Sequence, residues 1–215
     1  NHVLEFTGDG IANLSIDERL TIANMTTEWG ALAGVFPIDE VTILWLRDRA
    51  DFIGKRGLEG VLSDTDGENG VHPRLNHDRI NDLENDSLIA DNGAYYTKNI
   101  KLNLKSVSPH ISGPNHVKTM TSLHDAVRKN IKIDKAYLVS CVNSRVEDLA
   151  EAANTIKGKQ VASHVEFYIA AASSEVQAES ENRGDWHTLV DAGATPLPPG
   201  CGPCIGLGVG LLGPN

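Results

Sequence analysis

Three cysteines carry the reactive chemistry of this 215-residue chain: Cys141 alone, and Cys201 with Cys204 in "PPGCGPCIGLG", residues 198–208. The pair stands three positions apart in a stretch so rich in proline and glycine that regular helix or strand is excluded, which puts two thiols on a stiff loop. Three thiols cannot make a fully paired disulfide framework, and a chain of this size needs no staples, so a metal or redox role fits better. Three chemistries compete. A thioredoxin-like couple has its first cysteine at a helix start after a strand, whereas here Pro198 and Pro199 precede it and Pro203 lies inside the pair. A structural zinc site needs a fourth donor; no Cys or His stands beside either element, so His164 or His187 would have to arrive through the fold. An iron–sulfur cluster held by three thiolates uses every cysteine and leaves one iron without a protein ligand, able to act as a Lewis acid. Taken singly, Cys141 also has a plainer reading as a small buried hydrophobe.

The elements around these residues are legible from Cys141 outward. "KAYLVSC" reads as a buried strand ending at Cys141, and "SRVEDLAEAANTIKGK" as a helix with a capping box from Ser144 to Glu147 and Gly158 past its end. Cys141, just before a helix start at Asn143–Ser144, would face the positive end of a helix, which favours a thiolate. "VEFYIAAA" is a further strand, and "SSEVQAESENRG" and "DWHTLVDAG" are helices ahead of the cysteine loop. Alternating strands and helices imply a three-layer α/β/α arrangement of mainly parallel sheet, with ligands outside the carboxyl ends of the strands.

Upstream, "HVLEF" reads as a strand, and Ser15 with Glu18 makes a capping box for a helix over about 15–34 bearing Leu20, Ala23 and Thr27 on one face. A second helix starts at Asp39, carries Val41, Ile43, Leu44 and Leu46, and ends before the glycines of "DFIGKRGLEG". Residues 59–93 hold nine acidic residues against Arg74 and Arg79 and show little periodicity, the pattern of a solvated insertion. Their "DTDGENG" lacks the Gly and Glu that an EF-hand needs at loop positions six and twelve. Ile100, Leu102 and Leu104 alternate with polar residues as in a half-exposed strand, and "TSLHDAVRKN" opens the regular region as a helix. The chain thus divides into an α/β segment over 1–120, with the acidic insertion inside it, and an α/β segment over 121–215 that holds the cysteines.

A hydrophobic content of 40% with ordinary charge indicates a globular core, and the formal net charge of −10 disfavours nucleic acid, which needs clustered Lys and Arg. No run approaches the ~18 apolar residues of a membrane span, so no membrane partner is expected. The opening strand without lead-in and the close just after a glycine run suggest a chain cut at both ends.

With these segments in view, "SCVNSRVEDL", sixty residues from Cys141 to Cys201, and "PPGCGPCIG" resemble the cluster-binding segment of the aconitase family; "IANMTTEWGALAGVFP" and "PHISGP" resemble two more of its segments, in family order. Details of "VEFYIAAASSEVQAE" and of the cysteine loop look most like the fungal branch that serves lysine synthesis through α-aminoadipate. The resemblance implies a [4Fe-4S] hydro-lyase in the mitochondrial matrix, acting on a small tricarboxylic acid, homocitrate or homoaconitate, to give homoisocitrate, with Cys141, Cys201 and Cys204 as the iron ligands. Isopropylmalate isomerase or aconitase activity stands as the nearer alternative, and a zinc-stabilised or RNA-binding domain without catalysis as the remoter one. Asn24 and Glu28, four apart and so on one helical face, match the Asn and Glu that approach the cluster in the family; Glu28 also has a plain reading as an exposed helix glutamate. Asn143 matches the Asn after the first cysteine, where helix capping explains it equally well. The resemblance places the remaining acid–base segments, among them the catalytic base, in other domains of the same enzyme, so this chain alone is expected to show no turnover.

Overall fold

The computed structural model describes residues 2–57, 72–86 and 88–213, in two units, Asn1–Pro109 and His110–Asn215. The division falls at the strand that opens the second unit, ahead of the 120/121 boundary drawn from the pattern. No helix among the described residues is long and apolar enough to cross a membrane.

In the first unit, β1 (Val3–Glu5) and β2 (Ala33–Val35) pair in parallel through α1 (Ile16–Met25). The capping box forms as expected: the Glu18 N–H donates to Ser15 Oγ at 3.2 Å and the Ser15 N–H to Glu18 Oε2 at 2.7 Å. The helix stops at Met25 instead of running to 34. The hydroxyls of Thr26 and Thr27 bond the carbonyls of Ala23 and Asn24 at 2.7 and 2.8 Å, competing for the last turn. A 3-10 turn over Thr27–Trp29 ends at left-handed Gly30, and the chain turns back into β2. Gly34 marks the closeness of that return, since a Cβ there would stand 2.9 Å from Thr26 Cγ2 and 3.0 Å from Ala23 Cα.

Helix α2 (Glu40–Arg56) is capped by Asp39, passes through Gly54 and ends at Gly57. Asp39 accepts two bonds from Arg19 (2.7 and 2.8 Å), whose guanidinium also reaches the Ile11 carbonyl and Thr42 Oγ1 while its Nε donates to the Leu14 carbonyl. The solvated insertion expected over 59–93 contains a packed helix: α3 (His77–Asn85), capped by Asn76, buries Ile80 against Ile43 and Ala50 of α2. Its apolar positions Ile80 and Leu83 are three apart, too few among acidic neighbours for the periodicity to stand out. "DTDGENG" lies outside the described residues. No strand forms at Ile100–Leu104. Strands need a paired edge, and Asn103 instead closes a 3-10 turn over Leu104–Ser106, accepting the Lys105 N–H at 3.1 Å.

The second unit opens with the antiparallel pair β3 (His110–Ser112) and β4 (Met120–Ser122), after which Ser122 caps the short α4 (Leu123–Arg128). Then comes the parallel sheet β5 (Lys135–Leu138), β6 (Glu166–Ile169) and β7 (Thr195–Pro196), connected by α5 (Val146–Ile156) and by α6 (Ser174–Arg183) with α7 (Asp185–Asp191). Strand order follows chain order, so crossovers of a single hand leave both helical connections on one face. Leu149 and Ala153 of α5, Val176 of α6, and Trp186 and Leu189 of α7 accordingly pack with Ile169, with Leu138 and Phe167 against them. The α/β class with mainly parallel strands stands.

Candidate functional site

The three cysteines lie beyond the carboxyl ends of two strands of this parallel sheet: Cys141 follows β5, and Cys201 and Cys204 follow β7. Between them β6 continues as Ala170–Ala172, and this small-residue segment anchors both sides. Ala170 donates its N–H to the Leu138 carbonyl (3.0 Å) and Ala172 to the Ser144 carbonyl (2.9 Å), on the Cys141 side. The Ala171 carbonyl accepts the N–H of Gly200 (2.8 Å), and the Ile169 carbonyl that of Leu197 (2.8 Å), on the other. Ala170 and Ala171 are buried, so larger side chains here would push the two cysteine arms apart.

Each arm is then shaped locally. Ser140 sits at φ 149°, a region sparsely used by side-chain-bearing residues, and its Oγ accepts the N–H groups of Val142 (3.0 Å) and Asn143 (3.3 Å). Cys141 thus occupies a tight turn over 141–143. It does not stand at a helix terminus: α5 begins at Val146, with the Arg145 N–H bonded to Asp148 Oδ2 at 3.0 Å, one residue later at each end than the Ser144–Glu147 box read from the pattern. Ser144 is fully enclosed and is not the cap. Asn143 is exposed beside Cys141 and caps no helix.

In the other arm Gly200 adopts φ 99°, which only glycine takes without strain. Gly202 then gathers the loop, its carbonyl accepting the N–H groups of Ile205 (3.0 Å) and Leu207 (3.1 Å), while the 3-10 turn Pro203–Ile205 carries Cys204. Prolines and glycines here set a path instead of leaving it loose.

These arms bring the three thiols together. The Cys201 thiol is held above its ordinary value, first by its hydrogen bond with Cys141 and by that neighbour's charge, then by desolvation, then by Cys204. All three side chains remain exposed. His164 precedes β6, at the amino end of the strands and so opposite the cysteines, and His187 is exposed on α7. Among the described residues no group of three or more His, Cys, Asp or Glu side chains is arranged to hold a single metal ion. A one-ion site demands four donors about one point. An iron–sulfur cube takes each thiolate on a different iron, and three thiols reach one end of the sheet from separate arms, with Cys201 in interaction range of both others. The donor set fits the cube.

Asn24 and Glu28 belong to the first unit. Asn24 is exposed in the last turn of α1, whereas Glu28 is exposed in the 3-10 turn that follows, so they do not share one α-helical face as their four-residue spacing suggested. Ser140 and the three alanines were not anticipated. A serine directly before the cysteine, and a run of three alanines closing a strand, were the available signals.

A family model described as the aconitase family (aconitate hydratase) matches residues 1–215. The chain is 55% identical over 213 residues to a protein of Mycosarcoma maydis, 54% over 215 to one of Cryptococcus neoformans var. neoformans and 53% over 212 to one of Debaryomyces hansenii, each named homoaconitase, mitochondrial. Each match covers 99% of this chain and 29% of the relative, so the chain spans under a third of the length of these curated relatives. Matched along its whole length, the chain belongs to the aconitase family.

Proposed function

We propose that this chain is the cysteine-bearing part of a mitochondrial homoaconitate hydratase, a hydro-lyase that interconverts homocitrate, cis-homoaconitate and homoisocitrate in lysine biosynthesis. The convergence of three thiols from two sheet-anchored arms carries the proposal, and the names of relatives at 53–55% identity supply the substrate and the compartment. Cys141, Cys201 and Cys204 would hold a [4Fe-4S] cluster through three irons. When bound, that group polarises the substrate hydroxyl, a very poor leaving group otherwise.

The chain's own residues supply the rest of their share. The Ala170–Ala172 bonds tie the two cysteine arms to one strand, and the exposed amide of Asn143, two residues after Cys141, would donate toward the cluster's sulfur. Asn24 and Glu28, both exposed, are this chain's candidates for the polar groups that meet the departing hydroxyl. A base elsewhere in the enzyme takes the proton from the neighbouring carbon as the carbon–oxygen bond breaks; return of water in the opposite sense completes the isomerisation.

Anaerobic reconstitution of the full-length enzyme with iron and sulfide, followed by EPR, a zinc assay and homoaconitate hydration, tests this. Cluster signals with hydration activity are expected, both lost on Cys141→Ser, Cys201→Ser or Cys204→Ser. Stoichiometric zinc with no cluster and no hydration would overturn it.

A further inference from the structure

We propose that Tyr137 and Tyr168, with Lys135 and Glu166, form a clamp that positions the Cys201–Cys204 arm from the far face of the sheet. The two strands put them side by side, Lys135 opposite Glu166 and Tyr137 opposite Tyr168. With Leu138, Phe167 and Ile169 given to the helical core, the two-residue alternation turns all four to the other face. There they hold the glycine-rich segment that leaves Cys204. The Tyr137 hydroxyl donates to the Gly210 carbonyl, and Lys135 Nζ to the Leu211 carbonyl at 3.2 Å. The tyrosine rings stack at 5.6 Å, and Glu166 fixes the cation from one side, 3.2 Å from Lys135 Nζ, while accepting from the Tyr168 hydroxyl. Gly210 lies flat on the platform: a Cβ there would come within 3.0 Å of the Tyr168 ring.

The segment needs such a hold. Gly206, Gly208 and Gly210 all adopt positive φ, a path with high conformational entropy when free, and Ile205, Leu207 and Val209, each preceding one of them, are exposed. Tyr137 also sits on β5, the strand that ends in the Cys141 turn. One side chain therefore ties the chain leaving Cys204 to the strand entering Cys141. As a positioning device for cluster ligands this rests on the function proposed above, but its mechanical content is testable without any cluster.

In the cluster-free full-length enzyme, alkylation of each cysteine by iodoacetamide is followed by mass spectrometry for the native chain, Tyr137→Phe and Gly210→Ala. Loss of one hydrogen bond predicts labelling of Cys204 about fivefold faster in Tyr137→Phe, with Cys141 unchanged; the added methyl in Gly210→Ala predicts the same selectivity. Unchanged Cys204 rates in both variants, or a rise shared equally by all three cysteines as general unfolding gives, would overturn the clamp. Reconstitution of the native enzyme judges the cluster separately, and in a cluster-bearing enzyme Tyr137→Phe should release iron to a chelator faster with KM unaltered.

Discussion

The two units hold themselves by opposite means. The first is fastened by charge: Arg19, 3% exposed, spends its guanidinium on Asp39, Thr42 and the Ile11 and Leu14 carbonyls, tying α1 to the start of α2, while its apolar cluster among the described residues is small. The second is fastened by packing beneath one sheet face, with Leu149, Ile169 and Leu189 fully buried. Packing is cooperative and insensitive to pH; a charged fastener is directional and can be titrated. The cysteine arms are built on the packed unit, and the exposed polar groups Asn24 and Glu28 on the charged one.

Leu149→Ala breaks the packed side hardest. Leu149 is 0% exposed among Ala153, Ile169, Val176, Trp186 and Leu189, and removing its branched end leaves a cavity beneath β6, for a loss of about 3 kcal/mol. Hydrogen exchange on the full-length enzyme should show lost protection in peptides from α5 and β6, with α1 and α2 peptides unaffected. Equal loss in both sets would mean that the two cores are not separate.

That contrast also governs how much could be read in advance. Elements of the packed unit announced themselves, because Leu149 and Ala153 repeat at helical spacing and Gly158 and Gly184 mark where helices stop. Cys141, Cys201 and Cys204 were recognisable by residue type. The polar fasteners were not: nothing in the chain order ties Arg19 to Asp39 twenty residues away, and Thr26 with Thr27, which end α1, look like ordinary helix residues until their hydroxyls turn back on it. The clamp lay half visible in the matching Lys-x-Tyr and Glu-x-Tyr of "KAYL" and "EFYI", but only strand register brings those together. The apolar alternation at Ile100–Leu104 misled because alternation reports a face, and a strand also needs a neighbour.

Acid should release the first unit before the second. The Arg19 hydrogen bonds, opposed by partial burial and helped by the Thr42 N–H, bring Asp39 from 3.8 down to about 2. A carboxyl lowered on folding contributes stability in full above its unfolded value and loses it as pH falls through the folded one. The Asp39 contribution, on the order of 2 kcal/mol, is therefore present above about pH 4 and gone below about pH 2. Exchange protection at α1 and the start of α2 should fall in that window in the native enzyme, and the fall should be absent in Asp39→Asn, already weakened at neutral pH. A profile in the variant that still drops between those values would assign the transition to other carboxylates.

A weaker perturbation reaches a polar fastener inside the packed unit. Ser140 holds the Cys141 turn through a hydroxyl that accepts two N–H groups, from a backbone at φ 149°. Ser140→Ala keeps the strained backbone and removes the acceptor, leaving two donors to water, a cost of about 1 kcal/mol. Too little to unfold the sheet, it should act on the turn alone: alkylation of Cys141 in the cluster-free full-length enzyme should quicken about fivefold while Cys204 keeps its rate, the reverse of the selectivity expected for Tyr137→Phe. Ser140→Gly loses the same acceptor but relieves the backbone, and so should lose less stability than alanine. Were alanine and glycine equal, the φ of Ser140 would carry no strain; were neither to change Cys141, the turn would be held by the Ser144–Ala172 bond alone, and both cysteine arms would depend on the middle strand.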